Sequence, residues 1–501
     1  MMLLLNNKKV CIYMKLFSFL VAVFLASVLS ASDKMNVLFI SADDLNCDMS
    51  TYGNPQVKTP NLDRLANMGV RFDRAYCQQP LCGPSRASVM TGLRPNKTGF
   101  NDNRHQLRDL VPNVETLGQF FQKQGYYSGR VGKIYHYHNP KHIGTDGDDD
   151  LPTWTERFNP IGIDRTQEEN ITIENTGPAA EKRSMGISMA WWAPVSEDED
   201  HTDGKVATQA IKMIEKNKDK PFFIAAGFFN PHCPYVAPKK YFDLYDINDI
   251  TMETLESAKE DLKDVPAMAI FRDSKKWPYY FPGVSYEGAK RCKLAYYATI
   301  SFLDAQIGRI LDALEKNNLI EKTIIVFWSD HGYFLGEKGL WYKRKAFELS
   351  ARVPLIVSVP GVTQGKPCSR TVELVDLYPT LVDHAGFDVP KGLDGVSLRP
   401  LLTNPKTKWD RPAMTQVHYA KDKQGYPIRS ERWRYTEWNG GKAGKELYDH
   451  DNDPQEKTNL ANRSEFTSVM KELSQKMVDY QNSYKYVQPP PHEWQLKKKK
   501  K

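Results

Sequence analysis

Cysteine is scarce in this chain, with only seven in 501 residues. So few cysteines exclude a small disulfide-stapled scaffold and leave room for one or two bridges, whose pairing the sequence does not determine. Strong net charge is lacking too, because the formal charge of +7 includes five lysines in the terminal run 497–501. No basic stripe is interleaved with aromatic residues, so we expect no nucleic-acid partner.

Long apolar runs are lacking beyond the N-terminus. No window there reaches ~18 consecutive apolar residues, so we expect no transmembrane segment in the mature chain. The N-terminus itself carries lysines, then an apolar stretch over residues 16–29, then Ser30 and Ala31. This order is typical of a secretory signal peptide, here residues 1–31. We therefore expect a secreted or periplasmic protein, or a lysosomal one if the source is an animal.

The composition, with 41% hydrophobic and 11% aromatic residues, is that of a globular protein with a large core. Apolar strand-like runs alternate with helical patterns up to about residue 400, which predicts an α/β domain over residues 33–400. Short aromatic segments and one amphipathic helix predict a smaller α+β subdomain over residues 401–490. Residues 491–501 are expected to form a solvated basic tail.

Acidic residues follow two of the strand-like runs, residues 36–40 and 323–328. Open α/β sheets place ligands beyond the carboxyl ends of their strands. Adjacent carboxylates repel one another, so a cation between them is favourable, although a solvated turn would explain either pair alone. The residues that would close such a metal cage are Asp43, Asp44, Asp330 and His331.

Two further strand-like runs deliver basic residues and histidines. Residues 125–131 lead into Lys133 and His136, and the apolar run 221–229 leads into His232 between two prolines. Each of these features is weak alone, because a lone histidine is more often structural than catalytic. Lys133 and His136 could project into the same pocket, but from the residues alone a surface position is the favoured interpretation.

The stretch 81–92 contains Cys82 at the start of a predicted helix and Arg86 one turn later. A thiol at a helix N-terminus is expected to have a lowered pKa and to lie where anions bind. A buried packing cysteine beside a Pro-Ser turn is the alternative interpretation.

The pattern Cys-x-Pro-Ser-Arg followed by Thr-Gly resembles the signature of the type I sulfatases, in which the cysteine is oxidised to formylglycine. Four further segments extend the resemblance: Gly-Lys-x-x-His at 132–136, Pro-His-x-Pro at 231–234, the Asp-His pair at 330–331 and the block 335–343. The Asp-His pair is most similar to the iduronate-2-sulfatase branch.

The resemblance implies a large mixed sheet flanked by helices, in the alkaline-phosphatase-like sulfatase fold, with a catalytic domain and a smaller C-terminal subdomain. It also implies one divalent cation, Ca²⁺ first, although imidazole is an unusual calcium ligand. The implied catalytic residues are Cys82, Arg86, Lys133, His136, His232 and Lys343. The implied metal ligands are Asp43, Asp44, Asp330, His331 and the modified Cys82, and the implied substrate-binding residues are Lys133, His232 and Lys343.

In this interpretation Arg86 holds the oxygen of the nucleophile, and Lys133 and Lys343 neutralise the transferring group. His136 serves the nucleophile and His232 the leaving alcohol. The expected partners are a formylglycine-generating enzyme and a sulfated carbohydrate, namely a 2-O-sulfated uronic acid in a glycosaminoglycan or other sulfated polysaccharide. A phosphomonoester or phosphonate hydrolase and a non-catalytic sulfated-glycan binder remain alternatives.

Three local predictions complete the picture. A helix is expected over residues 371–385, and the acidic residues 146–150 are expected to form a solvated loop inside a long insertion, 139–203. The residues that could bind a substrate carboxylate after the signature helix are Arg104, His105 and Arg108, which could equally be surface charges.

Overall fold

The computed structural model describes residues 34–174, 185–271 and 284–482. The predicted signal peptide 1–31, the basic tail 491–501 and Cys11 lie outside the described residues. The signal peptide and the basic tail therefore stay predictions.

The centre of the molecule is a nine-stranded sheet that contains both parallel and antiparallel pairs. Its order is β12-β2-β13-β9-β1-β7-β3-β4, with β14 paired to β2. The strands are β1 (Asn36–Ala42), β2 (Val70–Tyr76), β3 (Tyr127–Gly132), β4 (Glu156–Phe158), β7 (Phe222–Gly227), β9 (Thr323–Ser329), β12 (Arg352–Val353), β13 (Leu355–Ser358) and β14 (Cys368–Glu373). Two short sheets accompany it, formed by β5 (Thr172–Ile173), β6 (Ala190–Trp192) and β8 (Tyr235–Val236), and by β10 (Phe334–Leu335) and β11 (Trp341–Tyr342).

Four parallel strands end at the same edge of this sheet. The last residue of β1, Ala42, pairs with Ser329 of β9, and Gly132 of β3 pairs with Gly227 of β7. Strand β2 runs the same way as β9, because both are antiparallel to β13. The segments that follow these strands therefore leave the sheet side by side.

Helices cover both faces of the sheet, because its central strands are apolar on both sides. Leu38 and Ile40 pack into one core, whereas Val37 and Phe39 pack into the other. The longest helix spans Tyr286–Lys316 and buries its apolar face in the first of these cores. The helices are α1 (Pro60–Met68), α2 (Cys82–Thr91), α3 (Pro95–Thr98), α4 (Leu107–Leu110), α5 (Leu117–Lys123), α6 (Ile163–Thr166), α7 (Thr202–Asn217), α8 (Lys239–Phe242), α9 (Leu255–Asp261), α10 (Tyr286–Lys316), α11 (Glu348–Ala351), α12 (Leu377–His384), α13 (Arg399–Thr403) and α14 (Thr467–Asn482).

A second, five-stranded sheet forms a smaller C-terminal unit, covered by α14. Its strands are β15 (Ala413–Met414), β16 (Val417–Ala420), β17 (Lys423–Arg429), β18 (Trp433–Trp438) and β19 (Lys445–Asp449). The predicted fold class, a large mixed sheet with a smaller α+β subdomain, is confirmed. The boundary near residue 401 stays a prediction, and Leu401 and Leu402 of α13 pack in the core of the large sheet.

Two local predictions were wrong. The helix expected over 371–385 begins only at Leu377, because residues 368–373 form β14 beside β2, where tertiary pairing overrides the helical pattern. The loop 146–150 is not simply solvated, because Asp149 pairs with Arg130 at 2.7 Å and Asp150 with Arg108 at 2.8 Å, and both acids are buried at their side chains.

Two findings concern disulfides, of which one or two were left possible, and membrane-spanning helices, of which none was expected. The six cysteines of the described residues form no disulfide with one another. Within the ranges 34–174, 185–271 and 284–482, no helix has both the length and the apolar character needed to cross a bilayer.

Candidate active site

The acidic residues that follow β1 and β9 meet beyond the carboxyl ends of these strands. Asp43, Asp44 and Asp330 are fully buried, as is His331. The backbone N–H of Asp44 donates to Oδ1 of Asp330 at 3.1 Å, which links the two strand ends. The structure therefore brings together the four residues predicted from separate parts of the sequence to form a metal cage.

Asp44 adopts a left-handed backbone conformation, with φ of 64°. This conformation is uncommon for a residue other than glycine and concentrates at functional sites. It is held from two sides, because the carbonyl of Asp44 accepts a 2.7 Å hydrogen bond from the Tyr296 hydroxyl while its N–H is engaged by Asp330. The fold thus fixes the direction in which the Asp44 carboxylate points.

Cys82 is the first residue of α2, and its thiol lies against this acidic group. Its Sγ is 3.3 Å from Nε2 of His331, 3.3 Å from Nζ of Lys343 and 3.9 Å from Oδ1 of Asp44. The expected lowering of the thiol pKa is wrong. Burial raises the pKa of Cys82 far above its ordinary value, and the Lys343 charge does not offset this. The helix N-terminus is outweighed because the thiol is removed from water among carboxylates.

Arg86 lies behind the acids and is fully buried. Its Nε donates to Oδ2 of Asp330 at 2.9 Å, and Nη2 lies 3.4 Å from Oδ1 of Asp43. The rest of the guanidinium donates to backbone carbonyls, including that of Lys133 at 2.9 Å. Arg86 therefore ties three strand ends together through one planar group with many donors.

Two lysines contact the acids from different sides. Nζ of Lys133 contacts the Asp43 carboxylate and donates to the carbonyl of Tyr137 at 3.1 Å. Nζ of Lys343 contacts the Asp44 carboxylate as well as the Cys82 thiol. Gly227 packs against the backbone of Lys133. This close approach requires glycine, because a Cβ at position 227 would lie 2.0 Å from the carbonyl oxygen of Lys133.

His232 and His136 complete the predicted set. Nε2 of His232 lies 3.7 Å from Oδ2 of Asp44. Its Nδ1 lies 2.7 Å from the Cys233 carbonyl, which can only accept a hydrogen bond, so this contact favours the tautomer with the proton on Nδ1. Burial, reinforced by Lys343, lowers the pKa of His232 to about 3. Burial also lowers the pKa of His136 well below its ordinary value. Both imidazoles are neutral at pH 7.

The donor set fits a hard divalent cation. Asp44, Cys82, Asp330 and His331 each offer one ligand atom within 4.8 Å of the others, and Asp43, Asp44 and His232 form an overlapping group. Burial is the largest cause that raises the pKa of Asp44; repulsion from Asp43 and Asp330 adds to it, and the attraction of Lys343 and His331 does not offset it. A cation among these oxygens would relieve that repulsion. Calcium does not favour the imidazoles of His331 and His232 or an unmodified Cys82 thiol, so the fit rests on the three carboxylates.

The site opens into a cavity of about 550 Å³. Cys82, His136, His232 and Lys343 line it, whereas Arg86 and Lys133 are fully buried. Sequence reasoning missed several residues that also face this space. The missed residues are Asp102, Asn103, Tyr137, His138, Asn139, Tyr342, Arg344, His418 and Tyr419.

Two of the missed residues lie close in sequence to predicted site residues, which could have indicated them. Arg344 directly follows Lys343, and His138 lies two residues after His136. His418 and Tyr419 come from β16 of the small sheet, and nothing in their local sequence indicates that they reach the cavity.

The three residues considered as carboxylate readers separate in the structure. Arg104 lines the cavity and is held by Asp102, to which its Nε donates at 2.8 Å. His105 also contacts Asp102, through Nδ1 at 3.0 Å. Arg108 instead forms two hydrogen bonds to Asp150, at 2.8 and 2.9 Å, and supports the loop described above. Of the two arginines, Arg104 is the one placed to meet a substrate.

Comparison with known proteins agrees with the geometry. The family model described as "Sulfatase" matches residues 35–387, and one described as "N-sulphoglucosamine sulphohydrolase, C-terminal" matches residues 336–483. Among solved structures, the phosphonate monoester hydrolase of Agrobacterium radiobacter superposes with a TM-score of 0.73 at 26% identity, covering 90% of this chain and 96% of that one.

Two relatives extend over most of the sequence. A protein named "Sulfatase" from Formosa agariphila is 33% identical over 88% of this chain and 86% of its own length. Human iduronate 2-sulfatase is 31% identical over 87% of this chain and 92% of its own length. Because these matches span both sheets and not only the signature around Cys82, the chain belongs to the sulfatase family of sulfuric ester hydrolases.

Proposed function

We propose that the protein hydrolyses sulfate esters of a carbohydrate through a formylglycine made from Cys82. The observation that carries this proposal is the position of Cys82. Its side chain lies where a helix N-terminus, a lysine and three carboxylates meet at an open cavity. A non-catalytic glycan binder would need the cationic groups but not a reactive group beside carboxylates.

A divalent cation, Ca²⁺ in the first instance, would be held by Asp43, Asp44 and Asp330, with His331 and the modified Cys82 beside them. When bound, it would supply polarisation of a sulfate oxygen and favour the ionised form of the nucleophile. Formylglycine, in its hydrated form, would supply a nucleophile that takes up the sulfuryl group and releases it again. In net terms, water adds across the ester, so an alcohol and sulfate leave.

The chain's own residues account for binding and proton movement. Lys343 reaches the cavity and neutralises charge on the sulfate, and Lys133 balances Asp43 from behind. Arg86 holds Asp43 and Asp330 in place. His232 is neutral, and its Nε2 faces Asp44. It therefore takes up the proton that the attacking hydroxyl at position 82 loses and donates that proton to the leaving alcohol oxygen. His136, also neutral at the cavity wall, serves the nucleophile at position 82.

For the substrate we propose a 2-O-sulfated uronic acid in a glycosaminoglycan or another sulfated polysaccharide. The support is twofold. A relative named iduronate 2-sulfatase aligns over 87% of the chain. Arg104 and Arg344 line the cavity around Cys82 and could bind a sugar carboxylate.

The test combines chemistry at position 82 with a matched substrate panel. The peptide of the secreted protein that contains position 82 should be lighter than the same peptide with an unmodified cysteine, by the mass difference between the thiol and the aldehyde side chain. It should also react with a hydrazide probe. On the panel, a 2-O-sulfated uronate disaccharide should give a higher kcat/KM than the same disaccharide sulfated at O6 of the hexosamine. An unmodified thiol would remove the proposed mechanism, and equal values would remove the substrate assignment.

A second candidate is hydrolysis of phosphonate or phosphate monoesters. The observation that favours it is the similarity to a phosphonate monoester hydrolase, because phosphonate and sulfate present similar tetrahedral oxyanions. Matched aryl sulfate, aryl phosphate and aryl phosphonate esters with one leaving group separate the candidates. A kcat/KM larger for the phosphonate than for the sulfate would favour the second.

Two parts of the proposal concern processing and transport. We propose that residues 1–31 direct secretion and are removed, and that a formylglycine-generating enzyme modifies Cys82 as a maturation partner. N-terminal sequencing of the exported protein tests the first. Coexpression with and without such an enzyme, followed by mass analysis of the Cys82 peptide, tests the second.

A further inference from the structure

The segment after β3 brings three histidines together beside the active site. The ring centroids of His136 and His138 lie 4.7 Å apart, and those of His138 and His142 lie 4.9 Å apart, both in edge arrangements. Sequence reasoning used His136 alone. The proposed hydrolysis gives His138 and His142 no role.

His136 has an unusual environment for a buried polar side chain. It is only 7% exposed, and neither of its ring nitrogens has a hydrogen-bond partner among the described residues. Buried polar groups are nearly always paired, so an unpaired pair of nitrogens calls for a ligand from outside the chain. His232 differs in this respect, because its Nδ1 lies 2.7 Å from a backbone carbonyl.

Two further donors converge on His136. His138 and Asp148 each place a ligand atom within 4.8 Å of the others in a group with His136. The backbone N–H of Asp148 donates to the His136 carbonyl at 3.0 Å, which holds the two segments in register. In a tetrahedral zinc site with bonds of about 2.0–2.1 Å, neighbouring ligand atoms lie roughly 3.4 Å apart. A small change at His138, which is exposed, would reach that spacing.

We propose that His136, His138 and Asp148 form a second metal site, distinct from the acidic site at Cys82, which binds Zn²⁺ with a solvent molecule as fourth ligand. Two imidazoles and one carboxylate are a donor set that zinc accepts and calcium does not favour. The site lies at the wall of the catalytic cavity, because His136 and His138 both line it.

The surrounding charges are compatible with a cation. Lys133 and Lys343 both disfavour positive charge at His136, but each of these lysines contacts a carboxylate of the acidic site, Asp43 or Asp44. The other histidine–carboxylate group, Glu348, His450 and Glu456, is different, because arginines already contact both of its acids.

Zinc at this site would withdraw His136 from proton transfer and narrow the cavity. The consequence is inhibition by Zn²⁺ that a chelator reverses, while Ca²⁺ at the acidic site does not protect against it. This consequence rests on the proposed function, because it assumes that His136 acts in hydrolysis. Metal binding itself does not rest on it.

The test therefore starts with binding. Isothermal titration of ZnCl₂ into the full-length mature protein, with Ca²⁺ in excess, should show one zinc ion bound. His138→Ala and Asp148→Asn should each weaken this binding at least about tenfold, as removal of metal-site partners does. His142→Ala is the matched control, because His142 belongs to the same loop but not to the proposed ligand set, and it should bind zinc like the wild type.

Activity and crystallography give two independent readouts. Half-inhibition by zinc should move to at least about tenfold higher concentration in Asp148→Asn than in His142→Ala. A zinc-soaked crystal should show anomalous density between His136, His138 and Asp148. Zinc binding that is unchanged in both ligand variants, or anomalous density only among Asp43, Asp44 and Asp330, would overturn the proposal. If no sulfate ester is turned over, the titration and the crystal still decide the metal site, so its failure is distinguishable from that of the proposed function.

Discussion

The molecule contains two clusters of largely buried charges that differ in one respect. The site cluster consists of Asp43, Asp44, Arg86, Lys133, Asp330 and Lys343, and the interface cluster consists of Glu348, Arg429, Arg434, His450 and Glu456. The interface cluster joins α11 of the large domain to the small sheet. Both clusters satisfy the rule that buried charges are paired.

The interface cluster is closed, in the sense that each of its acids is paired with a cationic side chain of the same cluster. Nε of Arg429 lies 3.1 Å from Oε2 of Glu348, Nε2 of His450 lies 3.0 Å from Oε1 of Glu456, and Arg434 contacts the same carboxylate. Despite burial, which raises it, the pKa of Glu456 is lowered by Arg434 and His450. Each acid has a fixed cationic partner, as expected where charges hold two units together.

The site cluster is open on one side. The pKa values of its acids move in opposite directions. Burial raises that of Asp330, but Arg86 and the other positive groups around it together lower it, whereas that of Asp44 is raised. Lys343 and Cys82 face the cavity. Burial of charge alone therefore does not identify an active site in this protein. What distinguishes the site is access to a cavity together with a reactive side chain.

The largest expected effect comes from removing the reactive side chain of the open cluster. Cys82→Ala should lower kcat by at least about 10³-fold, because the nucleophile is lost, while the fold stays intact. Cys292→Ala is the control, since Cys292 is buried in α10 away from the cavity, and its kcat should match the wild type. Turnover and circular dichroism measured side by side check this. A Cys82→Ala protein that keeps a tenth of the wild-type rate would make the two clusters functionally alike.

The closed cluster should respond in stability and not in chemistry. Glu456→Gln leaves Arg434 buried beside an uncharged group, so the free energy of unfolding should fall by about 3–5 kcal/mol. Urea unfolding measures this, and kcat per folded molecule should be unchanged. Glu465→Gln, at an exposed position, should change stability by less than about 0.5 kcal/mol.

The pairing of Glu456 with Arg434 should also make the free energy of unfolding depend on pH. Because the pKa of Glu456 is lowered in the folded state, its stabilisation is complete above the ordinary glutamate pKa and is lost as pH falls. The difference in unfolding free energy between the wild type and Glu456→Gln should therefore shrink below about pH 4. A difference that stayed constant across that range would show that the carboxylate charge is not what holds the interface.

Removal of Lys343 should have a smaller effect that is mainly catalytic. Lys343→Gln should lower kcat/KM by about 10²–10³-fold, because one preorganised positive charge at the sulfate is lost. Its unfolding free energy with Ca²⁺ present should fall less than that of Glu456→Gln, since the cavity admits water and a cation to Asp44. Lys366→Gln, on the surface, serves as the control for loss of one lysine charge. A larger loss of stability than of kcat/KM would place Lys343 with the closed cluster.

The strand ends of the open cluster were readable from the sequence, because parallel strands must deliver their following residues to one edge. The convergence of the segments that contain Asp43 and Asp330 was predicted in this way, whereas the assignment of Lys133 and His232 to the site came from the resemblance. The role of Cys82 was predicted from a motif. Its thiol pKa was predicted to be lowered by the helix N-terminus, and this was wrong because burial, which was not considered, raises it.

The remaining residues depend on tertiary placement. His418 reaches the cavity only because the small sheet packs there, and Glu348 and Arg429 meet only across the interface. Asp148 belongs to an acidic run that looked solvated, yet it lies beside His136. Periodicity reports on the face that an element buries against its own sheet, and it says nothing about contacts between units.

The finest distinction is within the open site, between charges that meet substrate and charges that support loops. Arg104 lines the cavity and Arg108 is paired with Asp150, although the two lie four residues apart. Arg104→Gln should raise KM for a 2-O-sulfated uronate about tenfold, because a bidentate carboxylate contact is lost, and should leave KM for a neutral aryl sulfate unchanged. Arg108→Gln should lower thermal stability without changing the ratio of the two KM values. An equal rise in KM for both substrates in Arg104→Gln would mean that Arg104 binds the sulfate or shapes the cavity, and the uronate would lose its structural support.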